Sequence, residues 1–349
     1  MACNLPMVIM PNKPVRTIAD IAQLAGVSKA IVSRAMNDSP LVSHETKTRI
    51  QTIAREHNYR VHQIARSLSL RRSQTVAFVM PVEESGSLVN NPFRREVLGA
   101  IATALSAYRY DMLIVQTKAG DLEWPHRYLD SGRADGFILL TCARCCDYIR
   151  LLIERQAPFV VWGTPLPDHR YSTVSGDNVM GGRLATEHLI ASGRRRIGFL
   201  GGIPGQQETQ KRHQGYADAL QAAGRAIDPA LVTYGDYTSA SGAEGMLHLL
   251  NQAPDLDGVL VNSDLMAIAA MSILQKKGYR IPEDVAVVGY DDIFLAAHCT
   301  PPLTTVRQDI ERIGGLLVET LMQNLETGAI ANVTMPAELV VRQSSGFAI

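Results

Sequence analysis

No apolar run in this chain of 349 residues is long enough to span a bilayer. The longest near the N-terminus, residues 5–10, is broken by Pro6 and is too short for the hydrophobic region of a signal peptide. The sequence therefore reads as a cytoplasmic protein with no membrane partner. Cysteine is scarce and unpaired in spacing, five in all, which excludes a disulfide framework and suits a reducing compartment. Cys142, Cys145 and Cys146 cluster, but no second Cys or His group is spaced to complete four ligands, so no metal is expected. The glycines of FLGGIPG lack the Lys-Ser/Thr of a phosphate-binding loop and miss the G-x-G-x-x-G spacing, so they are read as lining a cleft. No serine sits on a G-x-S-x-G elbow. An enzyme, a catalytic residue and a cofactor are all unexpected.

What the chain does have is a division of charge. Overall it is neutral, with 34 Lys+Arg against 34 Asp+Glu. Residues 1–72, however, hold eleven Lys/Arg against four Asp/Glu, a balance of +7, and the remainder holds 23 against 30, a balance of −7. A basic head attracts a phosphate polyanion and an acidic body is repelled by it, so DNA should be held at one end only. The length allows a small domain plus one or two larger α/β units. Residues 1–16 read as a disordered extension, or as the product of a start upstream of Met10.

Residues 17–60 read as three helices. In TIADIAQLAGVSKAIVSRAMN, Ala22, Gly26 and Val32 have the spacing that two helices crossing at a tight turn require. Thr17 caps the first helix, with Asp20 three residues on, and Gly26 ends it. Ser28 caps the second, whose Ile31, Val32 and Ala35 face inward. That leaves Lys29, Ala30, Ser33, Arg34 and Asn37 outside, where Lys and Arg can donate to guanine and Ala30 can meet a thymine methyl. Ser43 caps a third helix carrying Lys47 and Arg49. Singly, each basic residue fits a solvated face; together with the turn spacing they point to a DNA reader.

Residues 17–72 resemble the headpiece of the LacI/GalR family of bacterial transcription regulators. The resemblance rests on Thr17-Ile18, Asp20-Ile21-Ala22, Ala25-Gly26-Val27-Ser28, Val32-Ser33-Arg34-Ala35-Met36-Asn37, Tyr59 and Ala65-Arg66-Ser67-Leu68. It implies DNA contacts from Thr17, Ser28, Lys29, Ala30, Ser33, Arg34, Asn37, Tyr59, Ala65 and Leu68. It also implies a hinge helix in the minor groove, with Leu68 wedged into the central base step. One departure stands out: the family's Pro-Asn at the hinge start is Val61-His62 here, which removes a proline that pre-sets the first turn.

From Gln74 onward, short β-rich runs alternate with amphipathic stretches. Strands are expected over 75–80, 112–116, 136–140, 159–162, 196–200, 231–234, 258–261 and 285–289. Helices are expected over stretches such as 93–107, 181–192, 214–223, 240–251 and 265–277. This succession argues for parallel sheets covered on both faces, split near 175–178 into two units. Both resemble the family's periplasmic-binding-protein-like core, in which residues 305–309 return to the first lobe and a strand near 339–342 completes the second. The expected fold is thus an all-α helix-turn-helix headpiece with a hinge helix, followed by a two-lobed α/β core of parallel sheets. Its divisions are 17–60 (DNA-binding), 61–74 (hinge and linker), 75–176 plus 307–336 (first lobe) and 177–306 plus 337–349 (second lobe).

Ligands of open parallel sheets bind at the carboxyl ends of strands, which between two lobes form a closable cleft. Asp264, Asp291 and Arg212, the last read as opening a helix, lie at such ends and suit the vicinal hydroxyls of a sugar. The resemblance assigns Arg212 and Asp291 to effector contacts. It sets Ser263-Asp264 where the family has Asn-Asp, one amide donor fewer. Phe93 is kept from the family's N-P-F-F segment, but Arg94 replaces the second aromatic, favouring an anionic effector such as a sugar acid or phosphate unless it turns to solvent. Trp162 can stack on a sugar face or serve the core. The expected function is that of a homodimeric transcriptional repressor. It binds operator DNA and is switched by a small carbohydrate effector in the interlobe cleft; no C-terminal leucine heptad precedes Ile349 to build a tetramer. The alternatives are a regulator driven by a purine-type corepressor or a phosphoprotein, and a cytoplasmic sugar-binding protein.

Overall fold

Thr17 and Asp20 form a reciprocal capping box: the Asp20 N–H donates to Thr17 Oγ1 at 3.3 Å, and the Thr17 N–H donates to the Asp20 carboxylate at 2.9 Å. It starts α1 (Ile18–Ala25), which ends where Gly26 takes the left-handed conformation, φ 63°. The turn leads into α2 (Lys29–Met36), and α3 (His44–Glu56) follows, capped by Ser43. Ile21, Ala22, Ala25, Val32, Ala35, Val42, Ile50 and Ala54 close over one another as the core of this small unit. In the computed structural model, residues 17–36, 38–57, 59, 72–81, 91–118, 121–140, 145–166 and 170–346 are described. They fall into two compact units, Met1–Ser73 and Gln74–Ile349.

The second unit contains two six-stranded sheets. The first orders β11-β5-β4-β3-β1-β2, with β1 (Thr75–Pro81), β2 (Asp111–Thr117), β3 (Gly136–Leu140), β4 (Phe159–Trp162), β5 (Ser172–Gly176) and β11 (Asn332–Met335) all parallel. The second orders β12-β10-β9-β8-β6-β7, with β6 (Ile197–Gly201), β7 (Val232–Tyr234), β8 (Gly258–Val261), β9 (Ala286–Asp291) and β10 (Thr304–Arg307) parallel. Only β12 (Glu338–Val340) runs antiparallel, against β10. Every residue of β3, β4 and β9 is buried, as it must be in sheets covered on both faces.

Helices supply those covers. On one face of the first sheet, α4 (Pro92–Ala107) and α12 (Ile310–Thr327) bury Val97, Ile101, Leu105, Ile313 and Leu317. On the other lie α5 (Trp124–Leu129) and α6 (Cys145–Glu154), contributing Trp124, Tyr148 and Leu152. The second sheet is flanked by α7 (Asn178–Ala191) and α8 (Gln207–Ala222) through Leu189 and Tyr216. Its opposite face takes α9 (Ser239–Gln252) and α10 (Asp264–Lys276) through Met246, Leu249, Met266 and Leu274. A short α11 (Phe294–His298) follows β9.

The chain passes between the sheets three times, after β5, after β10 and between β11 and β12. Of residues 305–309, which the resemblance implied return to the first lobe, Thr305, Val306 and Arg307 stay in the second. Thr304, Thr305 and Val306 are buried and pair with β9, so the return is made by Gln308 and Asp309 at the start of α12. In both sheets the order reverses beside a first strand, with β1 between β2 and β3 and β6 between β7 and β8. A crevice opens at the carboxyl end of such a switch point, and the two crevices belong to lobes joined by three short crossings. Among the described residues no helix is long and apolar enough to cross a membrane.

Candidate functional site

In the N-terminal unit, Val32 and Ala35 turn into the core, which commits the opposite face of α2 to the outside. Lys29, Ala30 and Arg34 are exposed there and Ser33 is half-buried. Ser28 Oγ accepts from the Ile31 N–H at 3.3 Å, so it starts the helix, as Thr17 starts α1. Tyr59 is half-buried against the same core, and burial raises its phenol above the ordinary range. Two other basic residues are engaged within the unit: Lys47 bonds the carboxylate and carbonyl of Asp38 at 2.8 and 3.0 Å, and Arg49 donates to the Ala25 carbonyl at 3.1 Å. Among the described residues, the cations left on the reading face of α2 are Lys29 and Arg34. Asn37, Ala65, Leu68 and the Val61-His62 departure lie outside the described residues.

In the second unit, a cavity of about 440 Å³ lies between the lobes at the carboxyl ends of their strands. Phe93, Arg94, Trp162, Arg212, Ser263 and Asp291, all expected there, line it. Phe93 and Trp162 come from the first lobe, their rings 6.4 Å apart and tilted by 44°, and Phe93 packs against the cores of both lobes. Arg94 is half-buried on the wall rather than turned to solvent, its N–H capped by Asn91 Oδ1 at 3.1 Å.

Arg212 does not open a helix; it sits in the second turn of α8 and is only 5% exposed. Its Nε donates to Asn178 Oδ1 at 2.8 Å and its Nη1 to the Asn262 carbonyl at 2.6 Å, while the guanidinium lies 3.6 Å from the centre of the Tyr290 ring. So fixed, the planar group presents its remaining N–H donors to the cavity in one orientation. Asp291 ends β9 with φ 123°, a backbone conformation that costs energy for any side chain and collects at binding sites. Its carboxylate accepts from Gln308 Nε2 at 2.6 Å. Burial pushes its pKa up to about 7, against the opposing pull of Arg212.

Asp264 departs from expectation. It is fully buried and absent from the cavity wall, with one oxygen accepting from the Ile293 N–H at 2.9 Å and the other from the Thr305 hydroxyl at 2.5 Å. A Cβ at Gly289 would collide with it. The carboxylate ties β9 and β10 to the start of α10 instead of reaching a ligand. Burial, then the charge of Asp291, drive its pKa well up. Ser263, one residue earlier, remains on the wall while capping α10.

Sequence reading missed Tyr237, Glu208, Asp236 and Gln308, all on the wall. Tyr237 takes φ 67°, lies over Gly202 where any Cβ would strike its ring, and shares a 2.9 Å hydrogen bond with Thr209. The glycine loop placed at the cleft was the one available hint to it. Asp236 is bound by the Thr238 and Ser241 groups of its own turn.

The raised pKa of Asp291 has a measurable sign. A carboxyl whose folded pKa lies above its unfolded one stabilises the fold at low pH and loses that contribution as pH rises through the folded value. The Asp291 contribution should therefore fall between about pH 4 and 7. Melting curves across this range should slope downward more steeply for the native chain than for Asp291→Asn. Parallel slopes would show that Asp291 is ionised throughout.

Residues 17–65 match the bacterial regulatory proteins of the lacI family, and residues 186–345 match the periplasmic binding protein-like domain. The HTH-type transcriptional regulator CelR of Thermobifida fusca is 38% identical over 333 residues, 94% of this chain and 98% of CelR. The ribose operon repressor of Haemophilus influenzae is 33% identical over 313 residues, 89% of this chain and 92% of its own. Among solved structures, a CelR–cellobiose complex aligns with a TM-score of 0.73 at 37% identity, covering 94% of this chain and 99% of that one. The Lac repressor dimer bound to operator and the anti-inducer ONPF aligns at 0.82 and 27%, covering 95% and 99%.

Proposed function

Because the chain belongs to the lacI family of bacterial regulatory proteins, we propose that it is a transcriptional repressor whose hold on operator DNA is switched by a neutral carbohydrate between its lobes. It is not an enzyme. It acts as a homodimer in the cytoplasm, on the nucleoid while DNA-bound. Each α2 reads a half-site through Lys29, Ala30, Ser33 and Arg34, and the segment around Leu68 reads the centre. The moving bodies are the first lobe, residues 75–176 with 308–336, and the second lobe, residues 177–307 with 337 onward.

The observation that carries the effector class is the mixed charge of the cavity wall. Two arginines, Arg94 and Arg212, share the wall with three acidic residues, Glu208, Asp236 and Asp291, and with Phe93, Trp162 and Tyr237. Fixed donors, fixed acceptors and aromatic faces suit a hydroxyl-rich ring with apolar faces. A phosphate or sugar acid would meet as much negative charge as positive, so Arg94 does not select an anion. CelR, solved with cellobiose, binds a ligand of this neutral kind. The aromatic walls also fit a purine, and a PurR repressor of Pasteurella multocida is 30% identical, so the corepressor reading stays as the second one.

A gel-shift titration of the purified chain on its own upstream DNA, with cellobiose, other neutral sugars and purine bases in turn, tests both. A specific band weakened by a sugar supports the proposal, and one strengthened by a purine supports the second reading. Absence of any band above nonspecific DNA would overturn both. Arg34→Ala should weaken the specific complex by roughly tenfold to a hundredfold, as loss of one bidentate base contact does, and leave nonspecific binding nearly unchanged. An equal fall on both DNAs would reduce Arg34 to a phosphate contact.

A further inference from the structure

Two carboxylates reach across the cleft to backbone donors of the opposite lobe. Glu96, on α4 of the first lobe, accepts from the Phe294 N–H at 3.2 and 3.3 Å, where α11 begins in the second. Glu208, on α8 of the second lobe, accepts from the Thr164 N–H at 2.9 Å, just past β4 of the first. Beside Glu96, Phe93 packs on both lobe cores. The two hydrogen bonds run in opposite directions, one carboxylate from each lobe. A rotation that opened the cleft would break both.

We propose that Glu96 and Glu208 are positioning residues that latch the cleft shut from both sides, so that the cavity is already formed in the chain with nothing bound. Hydrogen bonds to an ionised acceptor are roughly twice as strong as neutral ones. Backbone N–H donors add no side-chain ordering of their own, so only the two glutamates are ordered on closing. A protein whose competent state is already populated spares its effector the penalty of closing it. This concerns the unliganded chain and stands apart from which effector is used or what it does to DNA binding.

Hydrogen exchange and small-angle scattering on the full chain without ligand provide the test, on the native protein and on Glu96→Ala, Glu96→Gln and Glu208→Ala. In the native chain the Phe294 and Thr164 amides should be protected. Glu96→Ala should speed exchange about tenfold at Phe294 and also at Thr164, across the cleft, with a larger radius of gyration. Glu208→Ala should do the converse, and Glu96→Gln, which keeps an acceptor oxygen, should restore most of the protection. Changes confined to the amide facing the altered side chain, at constant radius, would overturn the proposal, because each bond would then be a local cap. So would a native chain whose two amides exchange freely. Should Glu96→Ala unfold the unit, seen as exchange throughout β8, the Glu208→Ala result decides.

Discussion

Arg212→Ala should abolish the response to effector, raising the sugar concentration that shifts the operator complex by about a hundredfold or more, while operator affinity without effector stays within a few-fold of native. The size follows from what the guanidinium holds. Charge-assisted hydrogen bonds contribute about 1.5–3 kcal/mol each, and a forked donor makes at least two to vicinal hydroxyls. The change also strips the buried Asn178 amide oxygen and Asn262 carbonyl of their donor, and it removes the cation that holds down the Asp291 pKa. The Asp291 pKa would then rise further, and the power of the carboxyl to accept from a ligand would fall with it. Arg212→Lys should not rescue, because a point charge cannot serve Asn178 and Asn262 and lie flat on Tyr290 together. Calorimetric titration with the sugar that shifts the native complex measures the effect. A native dissociation constant in Arg212→Ala would remove the guanidinium from the site.

How much of this was readable beforehand differs between the two units. The headpiece was legible almost residue by residue because its signals are local: caps at Thr17, Ser28 and Ser43, a left-handed Gly26, and a buried stripe at helical spacing. Lys47 and Arg49 show where local reading stops. Their charge was visible, but Asp38 and the Ala25 carbonyl, nine and 24 residues away, decide that they hold the fold together. In the core, apolar strands were found where expected, whereas β5, β10 and β11 were not anticipated as strands. Ser172, Thr173 and Ser175 are polar yet buried, satisfied by neighbours such as Asn332, 159 residues on from Thr173, and no periodicity in SerThrValSerGly reveals that partner. The cavity followed the same rule. A position past a strand end predicts nearness to the cleft, which placed Arg212 and Asp291 on its wall, and the resemblance added Ser263. It does not predict direction, and Asp264, one residue past Ser263, turns inward to backbone and Thr305. Tyr237 was invisible because its placement depends on an unusual φ and on the absence of a side chain at Gly202.

Gly215→Ala should lower the melting temperature of the core by roughly 6–12 °C, from about 3 kcal/mol of destabilisation in a unit of this size. A Cβ at Gly215 would collide with the Val179 carbonyl and stand 2.6 Å from the Arg183 nitrogen, and one at Gly182 would strike the Arg212 carbonyl. The glycines of α7 and α8 thus meet backbone to backbone, and neither collision can be relieved by rotating a flexible side chain. The helices must part. That separation reaches the cavity, because Asn178 heads α7 and its bond to Arg212 on α8 is one of the contacts that fix the guanidinium. Gly215→Ala should therefore weaken the effector response in the surviving folded fraction as well as lower its stability. Gly99→Ala is the matched control, since a Cβ there meets nothing within 4 Å on the exposed side of α4. It should be neutral or stabilising by about 0.5–1 kcal/mol, the ordinary helix preference for alanine over glycine. Thermal melts of the two variants side by side separate the cases: equal melting temperatures would mean that α7 and α8 have room for a methyl group, and that the site does not depend on their close approach.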